Sequence, residues 1–190
     1  MSECMIQGVN QKGAAIRSTL QAISTLYGDD ALARIKGSLR PEVLAKIEPR
    51  VLPVAWYPIE VSAAIHVAIR DVVGGGQWET SHTIGIEAAK IDFNGVYRVF
   101  LRSLQYDSIW DRAQRAWNNY NSRGSIQWEG RSAGGAKGII SGVSGFNAGI
   151  WNAVAGRYQS LLILSGARSA SVEVKDATAM SACLDALWLE

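Results

Sequence analysis

Few side chains in this sequence are of the types that bind metals or attack bonds, so their spacing decides what chemistry is open to them. The two histidines, His66 and His82, stand apart, and the two cysteines, Cys4 and Cys183, lie near opposite ends of the chain. Neither Cys-x-x-Cys nor His-Glu-x-x-His spacing occurs, so no metal site is assigned. A histidine on an apolar helix can serve as an axial ligand of haem. A core histidine bonded to a backbone carbonyl is the commoner use, however, and no cofactor is assigned to His66 or His82. Residues 130–137, GRSAGGAK, approach a phosphate-binding loop but put Ala136 where its lysine belongs, and they lie between two alternating segments instead of opening a helix. Gly142-Val143-Ser144-Gly145 falls one residue short of a nucleophile elbow. With no nucleophile brought beside a base, the sequence reads as non-enzymatic, with no catalytic residue.

What remains is binding chemistry. Trp56, Tyr57, His66, Tyr97, Phe100 and Trp117 are candidates to line a pocket for a small, mostly apolar molecule. Arg98, Arg102, Arg112 and Arg115, with Lys90, form a basic face that is either solvated or meets an acidic partner or anionic ligand. Seven tryptophans are spread along the whole chain, a distribution that suits closing a core better than building one stacking surface.

The elements that would position these groups follow from the apolar pattern. Ile16, Leu20, Ile23 and Leu26 mark a helix over 12–27 that stops at Gly28, after a loose segment 1–12. Two short helices follow, one capped by Asp29 or Asp30 and one started by Pro41. Residues 51–76, VLPVAWYPIEVSAAIHVAIRDVVGGG, read as the central helix, started by Pro58, buried on several sides and ended by three glycines. A helix over 78–93 and another from Asp107 or Ser108 to Tyr120 come next. The periodicity then changes to two: 125–129 and 136–143 form a hairpin, a helix carries Ile150, Val154, Tyr158 and Leu162, and 171–175 with 182–189 form a second hairpin. The expected fold is α+β, an N-terminal helical region followed by helix, hairpin, helix and hairpin, with a roughly four-stranded antiparallel sheet covered by helices.

At 190 residues with 48% hydrophobic and 19% charged side chains, the chain suits one domain spanning 1–190. A net charge of +2 supplies no broad attraction to nucleic acid. No stretch reaches about 18 consecutive apolar residues and no signal peptide is recognisable, so no membrane insertion is expected. The sparse cysteines fit a reducing, cytoplasmic setting.

Over nearly its full length the chain resembles a family of myxobacterial paralogous proteins classed as a domain of unknown function. The resemblance rests on Lys12-Gly13, Leu52-Pro53, Ala55-Trp56-Tyr57-Pro58, the run Gly95-Val96-Tyr97-Arg98-Val99-Phe100-Leu101-Arg102, Leu164-Ser165-Gly166, and Val172, Val174, Cys183 and Trp188. That family is similar in layout to haem nitric-oxide sensors, to 4-vinyl-reductase-type sensor domains and to subunits of the vesicle-tethering transport particle. Two departures matter. The additional cysteine and Gly-Asp turn of the family give way here to Ala177-Thr178-Ala179-Met180-Ser181, and the Tyr-x-Ser-x-Arg signature that holds haem propionates is approached only by Tyr120-Asn121-Ser122-Arg123, with the wrong spacing. The resemblance implies two roles: a sensory or regulatory domain holding a small apolar molecule between helix and sheet, or a module that forms a homodimer or binds a protein partner through its helical face, with its core filled.

Overall fold

Helical and alternating apolar periods separate cleanly along this chain. The structure, a computed structural model that describes residues 8–93, 106–132 and 134–189, follows them closely. Helix α1 (Gly13–Tyr27) buries Ile16, Leu20 and Ile23 and ends at Gly28, whose φ of 84° is open to glycine at no steric cost. Helix α2 (Asp29–Ser38) opens with Asp29 and Asp30 in its first turn, where carboxylates complement the helix dipole. Helix α3 (Pro41–Ile47) starts on its proline.

The N-terminal segment is not loose throughout. Strand β1 (Asn10–Lys12) pairs antiparallel with β2 (Trp56–Pro58), Gln11 opposite Tyr57, and Val9 is 1% exposed. Trp56-Tyr57-Pro58 is therefore a strand and not the opening turn of a helix. The ring of Pro58 excludes Tyr57 from the helical region and pushes it to extended backbone. Helix α4 (Ile59–Val72) begins one residue later, and the Ile59 N–H donates to the Val9 carbonyl at 2.9 Å. Nor is α4 the most enclosed helix, since Glu60, Val67 and Asp71 are all exposed on its outer face.

That place belongs to α7 (Ala148–Leu164), which is apolar around most of its girth and buries Ile150, Trp151, Ala155, Tyr158 and Leu162 among others. Its N-terminus is fixed by Asn147, whose Oδ1 accepts from Ile150 N at 3.0 Å while Nδ2 donates to the Ala63 carbonyl of α4 at 2.9 Å. Helix α5 (Glu79–Asp92) lies directly against α7. A Cβ on Gly85 would sit 2.8 Å from the Ala153 Cα, and one on Gly156 would meet the His82 carbonyl, so the two backbones touch where each lacks a side chain. Helix α6 (Tyr106–Tyr120) completes the helical part.

Strands β3 (Ser125–Ser132), β4 (Gly135–Ser141), β5 (Ser169–Lys175) and β6 (Ala182–Leu189) form one antiparallel sheet in the order β3-β4-β6-β5. The GRSAGGAK stretch is the bulged turn of its first hairpin. Ile126, Trp128, Ile140, Val172, Leu184 and Trp188 point inward, and Trp128 lies across Gly138, its partner on β4. The α+β layout with helices over an antiparallel sheet is thus as expected. Two apolar clusters result: one joins the sheet to α6 and α7, the other joins α1 to α5. No helix among the described residues is long and apolar enough to cross a membrane.

Candidate functional site

A cavity opens where the two apolar clusters meet. It encloses about 720 Å³ counting its solvent-open mouth, of which about 90 Å³ can take the centre of a water molecule. Ala15 and Thr19 of α1, His66 of α4, Ala116, Trp117 and Tyr120 of α6, and Ile150, Ala153, Val154, Arg157, Tyr158 and Leu161 of α7 line it, with Gln11, Phe93 and Asn121. The cavity is therefore bounded by helices and by Gln11 of β1, and no strand of the four-stranded sheet contributes, contrary to the helix–sheet position expected from the sequence.

One wall is a polar cluster. Arg157 Nη1 donates to Asp92 Oδ2 at 2.6 Å, and Nη2 donates to the Ala15 carbonyl at 3.2 Å and to Ser18 Oγ at 2.9 Å. Tyr120 OH also donates to Asp92 Oδ2, at 3.4 Å. Burial, then the Asp92 charge, pushes the Tyr120 phenol up to about 12, so it stays protonated. Burial likewise raises the Tyr158 phenol. The ion pair is largely enclosed, its side chains being 19% and 13% exposed, and it joins α5 to α7 while the guanidinium also reaches α1.

The lining also includes His66, which is 4% exposed. Its Nδ1 lies 2.9 Å from Ser81 Oγ on α5. The chemistry of that pair selects a tautomer. Ser81 is fully buried, and among the described residues its hydroxyl proton has no acceptor other than His66 Nδ1. If Nδ1 carried the proton, the hydroxyl proton would be stranded at a cost of about 1–3 kcal/mol. Ser81 therefore donates to Nδ1, and the imidazole proton resides on Nε2, the ring nitrogen without a partner among the described residues. Burial first, and the Arg157 charge second, lower the His66 pKa to about 3, so the ring is neutral at physiological pH.

Asn121, 5% exposed, is the other polar group with spare capacity. Its Nδ2 donates to the Trp117 carbonyl at 3.5 Å, while its Oδ1 is buried with no partner among the described residues. Asn121 is held by an isolated bridge to Gln11, and the neighbouring Asn10 N–H donates to Ser122 Oγ at 2.9 Å while Ser122 N–H donates to the Asn10 carbonyl at 2.9 Å.

Of the residues singled out from sequence, His66 and Trp117 line this cavity. Trp117 donates its indole N–H to the Arg123 carbonyl at 2.9 Å, which leaves its ring as apolar wall. Trp56 is 43% exposed with the Lys12 ammonium 4.0 Å over its ring, and the Tyr57 hydroxyl accepts from Leu52 N–H at 2.9 Å; neither is a lining residue. Tyr97, Phe100, Arg98 and Arg102 lie outside the described residues. Arg112 and Arg115 are exposed on α6. Among the described residues no three His, Cys, Asp or Glu side chains gather as a metal site. Gln11, Ser81, Asp92, Asn121 and Arg157 were not singled out as site residues, because each is an ordinary polar residue until the fold brings it to the cavity.

No protein-family model matches this chain, and no curated protein matches its sequence. Solved structures do. The chain is similar to the Fe(II) unliganded H-NOX protein from K. algicida, with a TM-score of 0.69 at 10% identity, covering 94% of this chain and 97% of that one. It is similar to an oxygen-binding H-NOX domain related to soluble guanylate cyclases, seen as its oxygen complex, with a TM-score of 0.63 at 10% identity, covering 94% and 95%. A variant of the Tt H-NOX protein gives 0.65 at 9% identity, with 94% and 95% covered. The fold is therefore that of H-NOX domains, the haem nitric-oxide sensor layout to which the resembled family is compared.

Proposed function

We propose that this chain is a non-enzymatic sensory domain, folded as one unit over 1–190 in the cytoplasm, that holds a small, mostly apolar molecule in the cavity between α1, α4, α6 and α7. The observation that carries this is a cavity with a dominantly apolar lining into which the fold brings a few polar side chains, among them His66 and Arg157. The H-NOX fold, shared with an oxygen-binding relative, supports a sensory role, and the sequence resemblance to a myxobacterial family of unknown function belongs with it.

Among the described residues, those of the cavity do not fit haem. An axial ligand must offer an unprotonated donor atom. For His66 to bind iron through Nε2 its proton would have to move to Nδ1, which leaves the buried Ser81 hydroxyl proton without its acceptor among the described residues. His82 Nε2 lies 3.2 Å from the Val172 carbonyl, off the cavity. Tyr120 is held protonated. The sequence of 94–105 contains no histidine, cysteine or methionine. The nearest match to a propionate-binding signature is also committed elsewhere, Tyr120 to Asp92 and Ser122 to Asn10.

A second reading, a dimerising interaction module, is favoured by one observation: Leu52, Val54 and Trp56 form a short run of exposed apolar side chains, with Val54 80% exposed. The two readings are compatible. Native mass spectrometry of protein purified from its own host tests both. The sensory reading expects a retained adduct of small mass with no haem absorption band, and the same spectrum reports monomer or dimer. Protein that carries no adduct, and whose melting temperature ignores a panel of small aromatic molecules, would count against a ligand.

A further inference from the structure

We infer that a groove among α1, α2 and α3, away from the cavity, takes an acidic peptide segment of a partner protein. This rests on the interaction-module reading and names the chemistry of the partner. Arg17 and Leu20 of α1, Lys36 of α2, Ile47 of α3 and residues 49–53 line the groove. It encloses about 780 Å³ counting its open mouth, of which about 400 Å³ can take the centre of a water molecule. That lies within the range of sites that hold a ligand, about 300–1,000 Å³. Leu20, Ile47 and Val51 are buried and give the groove an apolar side.

The charge of the groove is one-sided. Arg17, Lys36 and Arg50 line it, and among the described residues no carboxylate does. Lys36 Nζ is compensated by Glu48 Oε1 at 2.8 Å, whereas the exposed Arg17 and Arg50 have no hydrogen bond or ion pair among the described residues. Two uncompensated guanidinium groups on an otherwise apolar groove match a segment that carries carboxylates and apolar side chains in close succession. Leu52 is both a lining residue and exposed, and Val54, exposed two residues on, extends the apolar contact past the rim. A second copy meets this surface badly, because a two-fold contact centred here sets one positive groove against another. A bilayer surface touches the rim without reaching the buried side chains inside, whereas the side chains of an extended peptide enter.

The test titrates three end-capped hexapeptides, alternating Glu-Leu, Glu-Ser and Lys-Leu, into the whole chain and follows its amide signals by NMR. The inference expects the Glu-Leu peptide to bind about tenfold or more tightly than either of the others, with signals of Arg17, Arg50 and Leu52 moving and the preference shrinking as salt rises. Arg17→Glu combined with Arg50→Glu should invert the charge preference, so that the Lys-Leu peptide binds more tightly than Glu-Leu. Because the primary comparison uses wild-type protein, a misfolded variant does not remove the test. Glu-Leu and Lys-Leu peptides binding wild type alike, or shifts confined to residues outside the groove, would overturn the inference. Binding to vesicles of phosphatidylcholine and phosphatidylglycerol in preference to every peptide would overturn it in favour of a membrane surface. If no probe binds at millimolar concentration the inference falls; a dimer in native mass spectrometry then leaves the interaction-module reading standing, and a monomer removes both.

Discussion

Lowering the pH should unfold this protein through His66, and the size of the effect can be worked from its surroundings. The ring is 4% exposed, lies near the Arg157 charge and has its pKa lowered from 6.5 to about 3. Below pH 6.5 the unfolded chain binds a proton that the folded chain refuses, so stability falls as pH falls, and the loss continues until the folded pKa is reached. Between about pH 7.5 and 4.5 this group alone removes about 2–3 kcal/mol, approaching a slope of about 1.4 kcal/mol per pH unit at the lower end. For a domain of this size that corresponds to roughly 5–10 °C in Tm. His66→Gln keeps an acceptor for Ser81 and has no proton to gain. Urea unfolding of both proteins at the two pH values isolates the term, because His82, whose pKa is also lowered by burial, and the carboxylates titrate alike in each. The variant should lose about 2–3 kcal/mol less than the wild type on acidification. Equal losses, within about 0.5 kcal/mol, would refute the assignment of a neutral, desolvated His66.

Three further substitutions probe the scaffold. Gly156→Val puts a branched side chain against the His82 carbonyl, 3.0 Å from Ile86 N, and should cost about 3 kcal/mol or more in urea unfolding by forcing α5 off α7. Asp92→Ala leaves the Arg157 guanidinium without its counter-charge and should cost about 3 kcal/mol, while a spectrophotometric titration shows the Tyr120 phenol ionising at lower pH than its value near 12. Trp56→Ala should cost no more than about 1 kcal/mol in the same unfolding assay, because the ring is half exposed and its clearest contact is the Lys12 ammonium; a loss above about 3 kcal/mol would make Trp56 the fold-defining hinge that its sequence context suggests.

The elements were legible in the sequence wherever a period was sustained. Alternation over 182–189 marks β6 at its observed bounds, and Ile16, Leu20 and Ile23 mark the buried face of α1. Legibility failed where a long-range partner overrode the local pattern. Residues 56–58 precede an apolar helix and look like its first turn, yet their conformation is set by Pro58 and by pairing with 10–12, some 46 residues away in the chain. Candidate site residues divide along the same line. His66 and Trp117 stand out by type, whereas Asn121 and Ser81 acquire meaning only from what the fold places beside them. The stretch 120–123 only approaches a haem-propionate signature, with the wrong spacing, and its structural use is to tie the end of α6 to β1.

The position of the cavity bears on how a sensor of this shape would work. His66 and Thr19 belong to the helices of the N-terminal cluster, while Trp117, Ile150 and Tyr158 belong to the cluster built on the sheet. A molecule seated between them contacts both, so its binding energy depends on how the two clusters sit against each other. Among the described residues, polar contacts across the same seam include the Arg157–Asp92–Ser18 cluster, the Asn147–Ala63 hydrogen bond, the His82–Val172 contact and the Gln11–Asn121 bridge. A ligand shifts an arrangement only to the extent that it binds one arrangement better than another. On the proposed reading, a molecule that fits the cavity better when the two clusters are docked would strengthen the junction between them.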